Sequence, residues 1–214
     1  EAKRELVKLQ QGDTDNLALW KEFVQISLKE FEKIYSRLDV KFDLCRGESF
    51  YNEQLPEVVS ALREANLVEE SQGAQVVHLD EEKLPLCIVQ KSDGGYNYAT
   101  SDLATVQSRI KEFSADRIVY FTDETQQNHF RQFFAIAKKL GWSANLQHVW
   151  FGLMRLPEGR FSTREGNVIK LEVLLDEAVS RALTMIQESS PDMELEQQEK
   201  VAKMVGIGAV KYAD

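Results

Sequence analysis

The strongest constraint on the fold is an alternation of helix and strand patterns in the second half of the chain. The order is a helix pattern at 100–113, a strand pattern at 117–122, a helix pattern at 124–140 and a strand pattern at 148–154. Thr100 can cap the first of these helices, and Gly141 can end the second. Strands separated by helices of ten or more residues are typical of a parallel sheet in an α/β fold. The sequence therefore predicts an α/β domain with 117–122 as a buried strand.

The same periodicities predict the remaining elements. Residues 16–38 carry apolar side chains at three- and four-residue spacing, which predicts an amphipathic helix. Further helices are expected at 55–66, 171–188 and 194–214, and short strands at 76–79, 86–90 and 96–98. The last helix contains Gly206 and Gly208 as a G-x-G, but a dinucleotide fingerprint also needs a third glycine and a preceding strand. These glycines therefore predict the close approach of a neighbouring element.

Composition and charge exclude several classes of protein. The 214 residues are 43% hydrophobic and 29% charged, which is a globular composition. A formal net charge of −9 argues against a protein that coats nucleic acid, but not against an enzyme that grips one RNA through a local basic patch. No apolar run approaches the ~20 residues of a membrane span. Cys45 and Cys87 are expected to be free thiols, and the three scattered histidines predict no zinc site.

Both ends of the chain read as the interior of longer helical segments. The chain begins in charged sequence unlike a secretory signal peptide, and residues 212–214 carry no helix stop signal. We therefore expect a fragment of a longer protein.

One loop carries residues suited to binding phosphates. Residues 160–167 read RFSTREGN, between a predicted strand and a long predicted helix. Arg160 and Arg164 flank two hydroxyls, and positive charge in such a loop would stabilise a phosphorus-centred transition state. On composition alone, a solvated surface loop is the favoured interpretation.

A second candidate site combines a tyrosine and a carboxylate. Tyr98 is expected at the end of a strand and Asp102 in the first turn of the next helix, and ligand sites of parallel sheets lie beyond the carboxyl ends of strands. A carboxylate there can accept two parallel hydrogen bonds from a guanidinium. Complementing the helix dipole is the alternative role for Asp102. Gln126 should start the helix after the next strand, with His129 one turn further on the same face.

These segments together resemble the class I aminoacyl-tRNA synthetases, specifically the arginine family. FSTREGNVIKLEVLLDEA resembles the family's KMSKS region, YATSDLA its YxTxDLA motif and QQNHF its QxxHF motif. Residues 19–21, 35–38, 42–43 and 47–51 resemble its connective region, and 206–214 resembles the entry to its anticodon-binding helices. The matches run in the family's order over nearly the whole chain.

The resemblance implies a fold and domain boundaries. The fold would be the second half of a doubly wound, Rossmann-like parallel sheet, with a helical and β connective insertion and the start of a C-terminal helical domain. Residues 1–85 would belong to the connective region, 86–190 to the Rossmann-like half with the KMSKS-like loop at 160–164, and 191–214 to the anticodon-binding domain.

The resemblance also implies roles for individual residues. Arginine would be bound by Tyr98, Asp102 and Gln126, and the catalytic phosphate loop would use Arg160, Ser162 and Arg164. Nucleotide contacts would come from His129, Gly152, Met154, Phe161 and Thr163. The alternative for His129 is a purely structural role. The alternative for residues 152–154 is packing in the core.

Two departures from the family pattern stand out. No H-x-G-H or H-x-G-N motif occurs, which fits a chain that lacks the first half of the nucleotide-binding fold. Thr163 stands where KMSKS has its second lysine, and Arg164 follows; in the family, a lysine near the missing motif is thought to compensate.

The function implied is that of an arginine–tRNA ligase using ATP, Mg²⁺ and tRNA(Arg), cytoplasmic and monomeric at full length, with this fragment inactive alone. One alternative is an RNA- or protein-binding module that keeps the fold and has lost the chemistry. Another is a class I synthetase for cysteine or glutamate, which the Tyr98, Asp102 and Gln126 pattern argues against because those substrates have no guanidinium.

Overall fold

The computed structural model describes residues 4–5, 8–9, 12–152, 155–156, 159–160 and 170–213, with only the backbone described at 155–156 and 159–160. The chain forms two compact units, one of 1–44 with 159–214 and the other of 45–158. The helices in the described ranges include none long and apolar enough to cross a membrane.

The elements follow the predicted order closely. The helices are α1 (Thr14–Arg37), α2 (Leu55–Glu64), α3 (Tyr98–Phe113), α4 (Gln127–Lys139), α5 (Leu171–Ser189) and α6 (Leu195–Ala213). The strands are β1 (Glu69–Ser71), β2 (Ala74–Val77), β3 (Cys87–Gln90), β4 (Arg117–Asp123), β5 (Asn145–Phe151), β6 (Arg155–Leu156) and β7 (Gly159–Arg160). Two short 3₁₀ helices lie at Glu48–Gln54 and Glu124–Gln126.

The unit of 45–158 contains both parallel and antiparallel strands. β1, β2 and β3 form an antiparallel sheet in that order. β4 and β5 pair in parallel over seven residues, from Arg117 opposite Asn145 to Asp123 opposite Phe151, with α4 as the connection between them. The predicted α/β class is confirmed, and the parallel strands are the two that helices flank.

The core of this unit brings together helices and strands distant in sequence. Leu62 of α2, Val89 of β3, Leu103 of α3 and Phe133 of α4 are fully buried. Each such side chain contributes about 1.5–3 kcal/mol relative to an exposed position. This shared burial fixes α3 and α4 beside β3.

The start of α3 differs from the prediction. Asn97 is the N-cap, with an extended backbone and a side chain that accepts from the Tyr98 backbone N–H, so the helix begins at Tyr98. Thr100 is therefore not the cap, and Asp102 lies in the second turn rather than the first. The predicted strand at 96–98 is reduced to one bridge between Gln90 and Tyr96, because the cap at Asn97 ends the extended segment.

The strand β4 is half-buried, and the prediction of a buried strand was wrong. Ile118 is buried, whereas Val119 is exposed and Phe121 is 68% exposed. Alternate side chains point to opposite faces of a strand, and only one face of β4 packs on the core. β5 begins and ends three residues before the predicted 148–154 segment.

The other unit shows one confirmed prediction and one unexpected exposure. α6 packs on α5, and a Cβ atom built on Gly206 would lie 2.7 Å from the Val179 Cα, so the predicted close approach is confirmed there. A Cβ on Gly208 would meet nothing within 4 Å. The helix α1 forms as predicted, with Asp13 capping it through the Asn16 N–H, but none of its residues is buried.

Candidate functional site

Three hydroxyls anchor the amino-terminal half of α3. Thr100 Oγ1 donates to the Val89 carbonyl at 2.5 Å, and Ser101 Oγ donates to Glu48 Oε1 at 2.6 Å. Thr105 Oγ1 donates to the Ser101 carbonyl at 2.8 Å. The first two bonds tie α3 to β3 and to the 3₁₀ helix Glu48–Gln54, and the third lies within α3. They hold the backbone of Asp102, which follows Ser101 directly.

The central contact of the site joins α3 to α4. His129 Nε2 lies 2.5 Å from Asp102 Oδ2, with the two side chains 29% and 31% exposed. An ionised carboxylate can only accept hydrogen bonds, so Nε2 is the donor. The His129 ring also packs against Phe133, with 5.3 Å between ring centroids. The pair thus packs against the core through Phe133 and remains partly exposed.

A cavity of about 260 Å³ opens beside this pair. It is lined by Leu86, Cys87, Ile88, Asn97, Tyr98, Ala99, His129 and Gln132. This volume is slightly below the range usual for pockets that hold drug-sized ligands, so the cavity could hold only a small molecule or part of one. Burial raises the pKa of the Cys87 thiol to about 11, so this cysteine remains protonated and is not a candidate nucleophile.

A second polar cluster lies at the carboxyl end of β4. Asp123 Oδ2 accepts from Gln126 Nε2 at 2.9 Å, and Asp123 Oδ1 accepts from the Thr125 N–H at 2.9 Å. The bonds from Thr125 and then Gln126 lower the pKa of the Asp123 carboxyl. This cluster fixes the turn that leads from β4 into α4.

An imidazole of β5 lies beside the end of β4. His148 Nε2 is 2.8 Å from Thr122 Oγ1, and its ring stacks on Phe130 at 4.0 Å. Desolvation lowers the pKa of His148. Gly152 follows β5 directly, at the same end of the parallel pair as Asp123. Polar groups therefore converge where parallel sheets commonly bind ligands.

The structure brings some of the predicted site residues together. Tyr98, 70% exposed, and His129 line one cavity, and Asp102 is bonded to His129. Gln126 is exposed and bonded to Asp123, outside the lining of that cavity. Tyr98 is the first helical residue and not the end of a strand.

Part of the predicted site lies outside the described residues. Arg160 is described only as backbone of β7, and Met154, Phe161, Ser162, Thr163 and Arg164 lie outside the described ranges. The predicted phosphate loop and the adenine contact of Met154 therefore stay predictions.

Sequence reasoning missed two residues of the site. Gln132 lines the cavity and donates to the Pro85 carbonyl at 3.0 Å; its position three residues after His129 was an available signal. Glu48 binds Ser101, although 53 residues separate the two. No local pattern could have indicated that contact.

The comparisons with known proteins identify the class and then the family. Residues 1–214 match the family model described as "tRNA synthetases class I (R), catalytic domain". The chain belongs to this family of class I tRNA synthetase catalytic domains, in which R denotes arginine.

Relatives of known sequence agree with this assignment. An arginine–tRNA ligase of Fusobacterium nucleatum subsp. nucleatum is 49% identical over 214 residues, covering 100% of this chain and 38% of that protein. An arginine–tRNA ligase of Chromobacterium violaceum is 46% identical over 220 residues, covering 98% of this chain and 38% of that protein. The chain thus spans less than two fifths of the length of these curated relatives.

Solved structures show the same fold. The arginyl-tRNA synthetase of Plasmodium falciparum superimposes with a TM-score of 0.84 at 30% identity, covering 99% of this chain and 36% of that one. The Thermus thermophilus arginyl-tRNA synthetase gives a TM-score of 0.75 at 20% identity over 97% of this chain and 40% of that one, and supports the fold alone.

Proposed function

We propose that the full-length protein containing this chain is an arginine–tRNA ligase, which converts ATP, L-arginine and tRNA(Arg) to arginyl-tRNA, AMP and diphosphate. The observation that carries the proposal is the Asp102 carboxylate, bonded to a histidine that lines a small cavity together with Tyr98. A half-exposed carboxylate presents two coplanar oxygens to a guanidinium, a geometry that a lysine ammonium cannot match.

The proposed arginine site uses Tyr98, Asp102 and Gln126. Asp102, which is bonded to His129 but is not among the residues that line the cavity, would bind the guanidinium, and Tyr98 of the cavity lining would add a polar contact. Gln126 would have to leave its bond with Asp123 to reach a substrate in that cavity. Its proposed role therefore includes a side-chain rearrangement on binding.

ATP is the proposed second substrate. A carboxylate oxygen of arginine would attack the α-phosphorus, form arginyl-adenylate and expel diphosphate; a terminal ribose hydroxyl of tRNA would then take the arginyl group and release AMP. Arg160, Ser162 and Arg164 would bind the phosphates, and Gly152, Met154, Phe161, Thr163 and His129 would contact the nucleotide. Catalysis would consist mainly of positioning and charge stabilisation.

Mg²⁺ is proposed as a companion of ATP. Within the described ranges, no group of three or more His, Cys, Asp and Glu side chains could hold a metal ion. Mg²⁺ is commonly bound through substrate phosphates and one or two carboxylates, which requires no such group. The metal would neutralise phosphate charge, and we assign it no protein ligand.

The finer architecture belongs to the same proposal. The parallel pair β4 and β5 with α4 between them supports half of a doubly wound, Rossmann-like sheet. We retain the boundaries 1–85, 86–190 and 191–214 for the connective, nucleotide-binding and anticodon-binding parts. The compact units of the chain divide elsewhere, at 44/45 and 158/159. The full-length protein is proposed to be a cytoplasmic monomer.

The test is ATP–pyrophosphate exchange by the full-length protein with arginine, lysine or citrulline, with and without tRNA. Among the three amino acids we expect exchange with arginine only, and only in the presence of tRNA. Asp102→Asn should lower kcat/KM for arginine by about 10²–10³-fold, because the guanidinium would lose its charged partner. Asp116→Asn, an exposed carboxylate before the amino end of β4, is the matched control and should leave exchange unchanged.

Two results would contradict the proposal. Absence of exchange with every amino acid, from a folded full-length protein supplied with cognate tRNA, would favour a binding module. Exchange with lysine as fast as with arginine would refute guanidinium recognition by Asp102.

A further inference from the structure

The Asp102–His129 contact suggests a role for His129 beyond the lining of the cavity. His129 lies in the first turn of α4, and Asp102 lies in the second turn of α3. Their 2.5 Å contact bridges two helices whose apolar residues share one core. Both side chains are about 30% exposed, so the bond is partly shielded from water.

The geometry leaves the carboxylate able to bind a second partner. A carboxylate has about four lone-pair positions on its two oxygens. His129 occupies one of them, on Oδ2. One position on Oδ2 and both on Oδ1 remain, which is enough for the two parallel N–H groups of a guanidinium.

We propose that His129 is a positioning residue for arginine recognition: its Nε2–H holds the Asp102 carboxylate in the orientation that receives the guanidinium. This inference rests on the proposed function and deepens it. The His129 ring is itself packed against Phe133, whose side chain is fully buried. Core packing thereby sets the orientation of the imidazole, and the imidazole sets that of the carboxylate.

The experiment measures steady-state ATP–pyrophosphate exchange by the full-length protein carrying His129→Leu or His129→Gln. His129→Leu should raise KM for arginine by about 10- to 100-fold, the range expected for losing a hydrogen bond to a charged group, and should raise KM for ATP by less, through the nucleotide contact proposed for the same side chain. His129→Gln keeps an N–H donor at a similar reach and should restore KM to within about threefold of wild type.

A double-mutant cycle and a matched control separate positioning from a general structural effect. In an Asp102→Asn background, His129→Leu should add less than about twofold, because residues that act as one unit are not additive. His78 also lies beside carboxylates, 3.4 Å from Glu69 and 3.6 Å from Asp80, but it is more exposed and does not line the cavity. His78→Leu should leave both KM values unchanged.

Three results would overturn the inference while leaving the proposed function intact. An unchanged KM for arginine in His129→Leu would exclude positioning. A lower KM would show that His129 competes with the guanidinium for Asp102. A rise in KM for ATP alone would assign His129 to the nucleotide. Failure of the wild-type protein to bind arginine in calorimetry would instead refute the proposed function and this inference together.

Discussion

The helices α1 and α3 have clear helical patterns in the sequence but differ completely in burial. None of the 24 residues of α1 is buried, and its exposed side chains include Phe23 and Phe31. In the 16-residue α3, eight residues are buried; four of them carry hydroxyls, and three of these, Thr100, Ser101 and Thr105, donate the hydrogen bonds described above. The candidate site lies on α3.

This difference shows that helical periodicity predicts a helix but not what covers it. An apolar stripe states which face can be buried, whereas burial requires a complementary surface from elsewhere in the chain. For α3 that surface comes from α2, β3 and α4. A polar site can be held rigidly only where such packing also satisfies its hydrogen bonds.

The largest expected effect on stability comes from comparing the same leucine-to-alanine substitution in α3 and in α1. Leu103→Ala in α3 should destabilise the unit of 45–158 by about 2–5 kcal/mol, because it leaves a cavity in a core where Leu103 is 0% exposed. Leu28→Ala in α1, at a side chain 44% exposed, should change stability by at most about 0.5 kcal/mol. For Leu103→Ala, urea unfolding is followed by the fluorescence of Trp142 and Trp150 in a Trp20→Phe background. For Leu28→Ala, it is followed by the fluorescence of Trp20 as the single remaining tryptophan. Equal losses in the free energy of unfolding for Leu103→Ala and Leu28→Ala would contradict the difference in burial between α3 and α1.

A smaller effect is expected from the packing of α5 on α6, in the unit that also contains α1. Gly206→Ala should destabilise the α5–α6 pair by about 1–3 kcal/mol, because the new Cβ would collide with the Val179 backbone. Gly208→Ala is the matched control; its Cβ meets nothing within 4 Å, and alanine favours a helix by about 1 kcal/mol over glycine. Thermal unfolding monitored by circular dichroism compares the two. A Gly206→Ala chain as stable as Gly208→Ala would show that the contact is not close.

The smallest effect is a pH dependence confined to one unit. All three histidines lie within 45–158, and desolvation lowers the pKa of His148 below its ordinary value, while the Asp123 carboxylate opposes that shift. The unfolded state then binds a proton more readily, so stability is lost as the pH falls from about 6.5 through the folded-state pKa. The free energy of unfolding at pH 5.5 and 7.5 measures this slope, and His148→Asn should reduce it. An equal slope in the variant would assign the dependence to other groups.

The candidate residues on α3 and α4 could be named from the sequence because they lie close together along the chain. Spacing placed Asp102 in a helix after Tyr98 and His129 one turn after Gln126, but it left the role of Asp102 open, and the resemblance to the arginine family selected these four side chains. Their partners were not predictable. The bonds of Ser101 to Glu48 and of Asp102 to His129 join segments 53 and 27 residues apart, and no local pattern encodes such pairs.

The sequence by itself determined the order of helices and strands, the parallel pairing at β4 and β5, and the family, because periodicity and motifs are local properties of the chain. Only the tertiary structure decided that α3 begins at Tyr98, that β4 buries one face, that α1 buries no residue, and that Asp102 is held by His129. Those outcomes depend on which distant surfaces meet. Which surfaces meet is decided by the free energy of packing and of hydrogen bonding the polar groups over the whole domain. Residues remote in sequence contribute to that free energy together.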